Sequence, residues 1–217
     1  MPPRRESAAR NRVVDAAMDL FSRQGYHATT VAQIAALAGL SPGAGGVYRH
    51  AASKLELLQE GLRRQVDSGG GLTALLVAAQ PPADLPLEER LLTVARAGLR
   101  RLEQERELNR LLLRDLAAFP DLLALVRDRE LRGVHAALLH WLSSQEGAGT
   151  VDPQDAAAAA AVLMGAVSHF WIMVDVFGGE HPLGVSEDRY LGVLARMAAG
   201  LLSGDGGHLH PDGRGSA

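Results

Sequence analysis

An all-α fold is the class this 217-residue sequence predicts, and three observations predict it. Apolar residues recur at helical spacing along nearly the whole chain, and no segment shows the alternation of a half-buried strand. Ser, Thr, Asp or Pro stand where the apolar runs begin, and several runs end at Gly. The length suffices for one ordinary domain and a small one, with a sizeable core. There is no cysteine, which excludes disulfides and thiolate metal sites. Met1 to Arg12 is polar and Arg-bearing without an apolar stretch, so no signal peptide is expected and the chain reads as a soluble intracellular protein.

Pro2 to Arg5 is a short basic arm, either a nonspecific phosphate contact or a solvated terminus. Ser7 or Ala8 is expected to open the first helix, in which Val13, Ala16, Ala17, Leu20 and Phe21 form one stripe and Gly25 marks the end. Phe21 and Tyr26 read as core. Thr30 is placed as an N-cap, with Gln33 three residues on to close a capping box. Val31, Ile34, Ala35 and Ala38 then line one face of a short helix, and Gly39 suits the left-handed position that ends it. Ser41 is a second N-cap with Pro42 at the first helical position. Two short helices joined by a tight turn make a helix-turn-helix, and that points to DNA.

Charge agrees. Residues 1–64 hold nine Arg or Lys against five Asp or Glu, a balance of +4, inside a chain whose net charge is −3. A basic head on an acidic body suits a protein that presents only its head to phosphates. The third segment is unusual, because Gly43, Gly45 and Gly46 each cost about 1 kcal/mol relative to Ala in a helix interior. Small residues let the backbone approach a groove but offer few side chains to base edges. Ala44 can meet a thymine methyl, and Tyr48, Arg49 and His50 can donate to phosphate or base, with Arg49 the best candidate for a base contact.

Gly25, Tyr26, Thr29, Thr30, Val31, Ile34, Ala35, Ala38, Gly39, Leu40, Ser41, Tyr48, His50, Ser53 and Lys54 carry a resemblance to the TetR family of one-component transcriptional regulators. The resemblance is specific over about residues 8–64 and architectural beyond. It implies an all-α homodimer, with an N-terminal headpiece that binds DNA and a C-terminal domain that binds a small effector and dimerises. It assigns Tyr48 and Lys54 to phosphate, and implies a bacterial cytoplasmic protein, at the nucleoid when bound to DNA. The DNA-contacting set is then Thr30, Ser41, Pro42, Gly43, Ala44, Gly45, Tyr48, Arg49, His50 and Lys54. Two departures stand out: Ser41 to Tyr48 is two residues longer than usual, and Ala51-Ala52 replaces a frequent Phe-Pro.

Ser53 to Glu56 forms another capping box and opens a fourth helix, with Leu55, Leu58 and Leu62 on one face. Ser68-Gly69-Gly70-Gly71 interrupts it as a hinge or a loop. After the Pro81 to Pro86 loop, Leu87, Leu91, Val94 or Ala95, Gly98 and Leu102 mark a buried face. Arg100 to Arg110 reads as a solvated surface. Pro120-Asp121 starts a long helix, with Leu122, Leu125, Val126, Val134, Leu138, Leu139 and Leu142 as its stripe. From Ala156 to Val174 no residue is charged. That length would span a bilayer, but the run is half small residues, contains Ser168 and His169, and has acidic flanks. Paired with 186–202, the helix at about 152–177 is expected to build a dimer interface instead, with no membrane involved.

These boundaries give a DNA-binding domain at 1–64, an effector-binding and dimerisation domain at 65–203 and a flexible tail at 204–217. Candidate effector residues are Arg114, Phe119, His140, Trp141, Met164, His169, Trp171 and Met173, of which only a few can line one pocket. Neither His135 with His140 nor His208 with His210 has a persuasive metal spacing, and no phosphate loop or nucleophile elbow is present. No catalytic residue, metal or cofactor is expected beyond a small-molecule effector of unknown identity. The expectation is a sequence-specific homodimeric regulator, not an enzyme, that represses at a palindromic operator until an effector releases it. The alternatives are a DNA-binding activator or architectural protein without an effector, and a helical carrier or enzyme with a vestigial headpiece.

Overall fold

The computed structural model describes residues 4–40, 45–67, 81–145 and 153–203. Every regular element among them is helical. The chain divides into two compact units, one of residues 1–71 with 102–133 and the other of 72–101 with 134–217. The first unit thus takes in a stretch from well beyond residue 64, where the sequence reading ended the DNA-binding domain.

In the first unit, α1 (Arg4–Gln24) begins earlier than expected, so Arg4 and Arg5 belong to the helix rather than to a preceding arm. Its stripe of Val13, Val14, Ala17 and Phe21 is buried almost completely, each large side chain contributing about 1.5–3 kcal/mol. Helices α2 (Val31–Leu37), α3 (Gly45–Tyr48) and α4 (Lys54–Asp67) follow. Ile34, Ala35, Val47, Leu57, Leu58 and Leu62 complete the core with α1. A Cβ at Gly61 would fall on the Met18 side chain, so the glycine lets α1 and α4 approach closely.

Helix α5 (Leu87–Gln104) ends at Glu105, and α6 (Arg106–Asp115) follows at once. Leu111 of α6, with Leu122 and Val126 of α7 (Pro120–Val126), packs into that same core. The long helix expected from Pro120 is not continuous α-helix. A π-helical stretch at Arg127–Leu131 separates α7 from α8 (Arg132–Ser143). Its wider turn resets the helical register. Leu122 and Val126 therefore serve one core, while Leu138 and Leu142 serve another.

The second unit is built on α9 (Pro153–Val176) and α10 (Glu187–Leu202), with Leu91 and Val94 of α5. Ser186 caps α10 by accepting the Arg189 N–H. Tyr190 Oη donates to the Ala166 carbonyl at 3.0 Å, tying α10 to α9. Outward-facing apolar residues remain on both helices, with Val162 at 66% and Met197 at 69% exposure.

Candidate nucleic-acid interface

The motif is assembled by short-range chemistry. Thr30 Oγ1 accepts the Gln33 N–H at 3.2 Å, and Gln33 Oε1 accepts the Thr30 N–H at 2.8 Å, so the expected capping box is present. Gly39 has φ +69°, with its N–H on the Ala36 carbonyl and the Leu40 N–H on the Ala35 carbonyl. That pair is a complete Schellman motif, and it explains the glycine. Leu40 then turns back toward α3, where a Cβ at Gly46 would lie 3.3 Å from its Cδ1.

Ser53 caps α4 as expected, accepting the Glu56 N–H at 3.0 Å. The return arm differs: Glu56 Oε2 accepts from Ala52 N–H at 2.6 Å, one residue earlier than in a standard box. Ala51, in the place of the family's usual aromatic, is buried beside Val47 in the core.

The expected DNA-contacting residues fall into four groups. Tyr48 and Arg49 are exposed at the end of α3, with His50 half-buried beside them. Thr30 and Gly45 are exposed at the starts of α2 and α3. Ser41, Pro42, Gly43 and Ala44 lie outside the described residues. Lys54 is engaged differently. Its Nζ donates to the Tyr26 carbonyl at 2.6 Å and the Thr29 carbonyl at 2.8 Å, and sits 4.3 Å from the Tyr26 ring centroid. Two of its three donors are therefore spent inside the protein. Burial pushes its pKa down, and the nearby Asp115 charge works in the opposite direction.

Lys54 is one part of a larger support around the α1–α2 turn, residues 25–29. Gly25 has φ +96°, and a Cβ there would also meet the Arg114 guanidinium at 3.1 Å. Tyr26 N–H donates to Asp115 Oδ2 at 3.1 Å. Thr29 Oγ1 donates to the Gly25 carbonyl at 2.7 Å, and Gln24 Nε2 to Thr29 Oγ1 at 3.2 Å. Arg114 Nη2 donates to the Phe21 carbonyl at 2.7 Å, while its Nε reaches Asp115 Oδ2 at 3.1 Å. Phe119 meets Tyr26 edge-on, 4.8 Å between ring centroids.

Two effector candidates lie at the headpiece. Arg114 caps the last carbonyls of α1, and Phe119 packs on the headpiece aromatics, so both already have structural partners in the first unit. His140 and His169 are exposed, Trp141 and Met164 pack against the second core, Trp171 is buried and Met173 half-buried. A groove of about 410 Å³ between α1, α4 and α6 is lined by Val14, Met18, Arg64 and Leu108 among others. None of the expected effector residues lines it. Asp115, buried and bonded to the turn, went unrecognised as a functional candidate. Its one sequence signal is a lone acid in an apolar run, and its partner Tyr26 is 89 positions away.

Comparison with known proteins agrees with the geometry. Residues 13–60 match the bacterial regulatory proteins of the tetR family, and residues 89–198, half of the chain, match the C-terminal domain of AefR-like transcriptional repressors. No curated protein matches the chain. Among solved structures, a bacterial regulatory protein in the tetR family from Rhodococcus RHA1 is 26% identical, with 89% of this chain and 96% of that one covered and a TM-score of 0.62. A TetR-like transcriptional regulator from Rhodococcus sp. RHA1 is 23% identical over 94% and 100% of the two chains, with a TM-score of 0.63. GusR of Salmonella enterica is 20% identical over 93% and 97%, with a TM-score of 0.61. The last two bear on the fold alone. With its capped helix-turn-helix, its helical body and both halves matched, the chain belongs to the TetR family of transcriptional regulators.

Proposed function

We propose that the protein is a repressor that binds a palindromic operator as a homodimer and is released by a small effector. The match of residues 89–198 to the C-terminal domain of AefR-like repressors supports repression as the sign of regulation. Dimerisation rests on a second feature. Ala158, Val162, Gly165, His169 and Val176 share an exposed face of α9, and Val193, Met197 and Leu201 an exposed face of α10. Large apolar side chains left in water at helical spacing favour burial against a second copy.

The same feature bears on the membrane alternative. By length and composition α9 could span a bilayer. Its opposite face, however, packs on α10, which carries Glu187, Asp188, Arg189 and Arg196. Those charges make hydrocarbon a poor environment for the pair, so a second protein surface suits both helices better. His169 then belongs to the interface rather than to an effector pocket.

In this reading α3 enters the major groove, Arg49 reads a base edge, and Tyr48 and the remaining Lys54 donor hold phosphates. Thr30 adds a hydroxyl beside the backbone, and Gly45 at the start of α3 lets the main chain approach the groove. Effector binding in the body favours a state whose two heads no longer match half-sites about 34–36 Å apart. Selection of duplexes from a random pool, followed by titration against salt, tests the reading. A recovered palindrome with a steep salt dependence supports it. Absence of enrichment at every salt concentration rejects it.

A further inference from the structure

The α1–α2 turn is the support on which the helix-turn-helix rests, because α2 begins immediately after it. Among the described residues, Lys54, Arg114 and Asp115 reach this turn from outside the motif. Lys54 takes the carbonyls of Tyr26 and Thr29. Asp115 takes the Tyr26 N–H, and Arg114 takes the Phe21 carbonyl and lies over Gly25. Asp115 is the buried carboxylate among the described residues, and its Oδ2 accepts from both Tyr26 N–H and Arg114 Nε at 3.1 Å.

A carboxylate in such a place is costly unless it is satisfied. Here it is flanked by two cations and closes a main-chain donor that would otherwise be orphaned. Arg114 and Asp115 sit at the end of α6, about ninety positions downstream of Phe21 and Tyr26. The α5 helix that leads into α6 starts in the other compact unit, and its last turn belongs to this one.

We propose that Arg114 and Asp115 are positioning residues for DNA reading: by clamping the α1–α2 turn they set the angle at which α2 and α3 meet the groove. The inference rests on the headpiece reading sequence, as proposed above. It makes the end of α6 a control point on the head. A shift of α6 that breaks the Asp115 bond to Tyr26 frees the turn, although neither Arg114 nor Asp115 itself touches DNA.

The test uses the full-length protein, a duplex recovered by selection and a scrambled duplex of equal length. Asp115→Asn keeps the shape but removes the charge that joins Arg114 and Lys54. The expected result is at least a tenfold fall in the ratio of selected to scrambled affinity, with the salt slope on scrambled DNA unchanged. Hydrogen exchange at the Tyr26 amide should accelerate as well. A purely structural role would reduce both affinities by one common factor, since it alters only the folded fraction. A ratio within twofold of the parent overturns the proposal. If Asp115→Asn loses its helical signal, Arg114→Gln decides by the same ratio, because that side chain is 42% exposed and its loss opens no cavity. If the unaltered protein prefers no duplex, the reading of the headpiece fails first. That outcome is distinct from a parent that discriminates beside an Asp115→Asn variant that discriminates equally.

Discussion

The Lys54 ammonium lies 2.6 Å from the carbonyl oxygen of Tyr26 and 4.3 Å from the centroid of its ring. The sole lysine of the chain is therefore a cap for the α1–α2 turn before it is anything else. Lys54→Ala is expected to lower stability by about 1.5–3 kcal/mol, the range for hydrogen bonds to a charged donor. It should also weaken binding to every duplex through the lost phosphate contact, and lower the ratio of selected to scrambled affinity through the loosened turn. Thermal melts with and without DNA check this. An unchanged melting temperature beside weakened binding would mean that the lysine works as a free phosphate cation.

Arg49 stands exposed where α3 ends. Arg49→Ala should relax preference at one base position, at a cost of about 1–3 kcal/mol on the preferred duplex and little on others. Repeating the duplex selection with the variant measures it. Uniform loss over all sequences would place Arg49 on a phosphate.

A methyl group added at Gly45 would meet nothing within 4 Å, whereas one at Gly46 would press on Leu40. Gly45→Ala should stabilise the headpiece by about 0.4–1 kcal/mol through the unfolded chain. Gly46→Ala should gain less, since Leu40 must give way. Denaturant titration compares the two. A more stable Gly45→Ala protein that binds DNA poorly would show the main chain of Gly45 close to the duplex.

Glu60 accepts from Arg64 Nε at 2.9 Å and Arg63 Nη1 at 2.7 Å, and the Arg64 bond chiefly holds its carboxyl below the usual value. A carboxyl whose folded pKa is depressed stabilises the fold above its unfolded pKa, and that contribution disappears as pH falls through the folded value. Glu60→Gln should therefore cost a few tenths to about 1 kcal/mol at neutral pH. The difference from the parent should vanish in acid below the ordinary carboxyl range. Parallel melts across pH would reveal a constant difference if the carboxylate were not responsible.

Val162 and Met197 project from α9 and α10 at 66% and 69% exposure. Val162→Glu with Met197→Glu should shift the sedimentation mass toward one chain and steepen the protein dependence of DNA binding. A mass unaffected by both charges would move the dimer contact elsewhere.

The local devices were legible in the sequence because their causes are local. Thr30 with Gln33, Gly39 after Ala38 and Ser53 before Glu56 each act within four residues, so order and residue type suffice to read them. Helical periodicity likewise exposed the stripes of α1, α9 and α10, and through the headpiece motif the family. Tertiary structure decided what periodicity does not encode. Arg114 reads as pocket lining, and Asp115 carries no reading, until the fold brings them to Phe21 and Tyr26, some ninety residues away. Lys54 reads as a phosphate ligand until its neighbours prove to be carbonyl oxygens. The π-helical turn at 127–131 divides one apolar stripe between two cores, a result of packing on both sides rather than of any local signal. Which polar group meets which across a long loop is set by the packed core, and the core is a property of the whole chain.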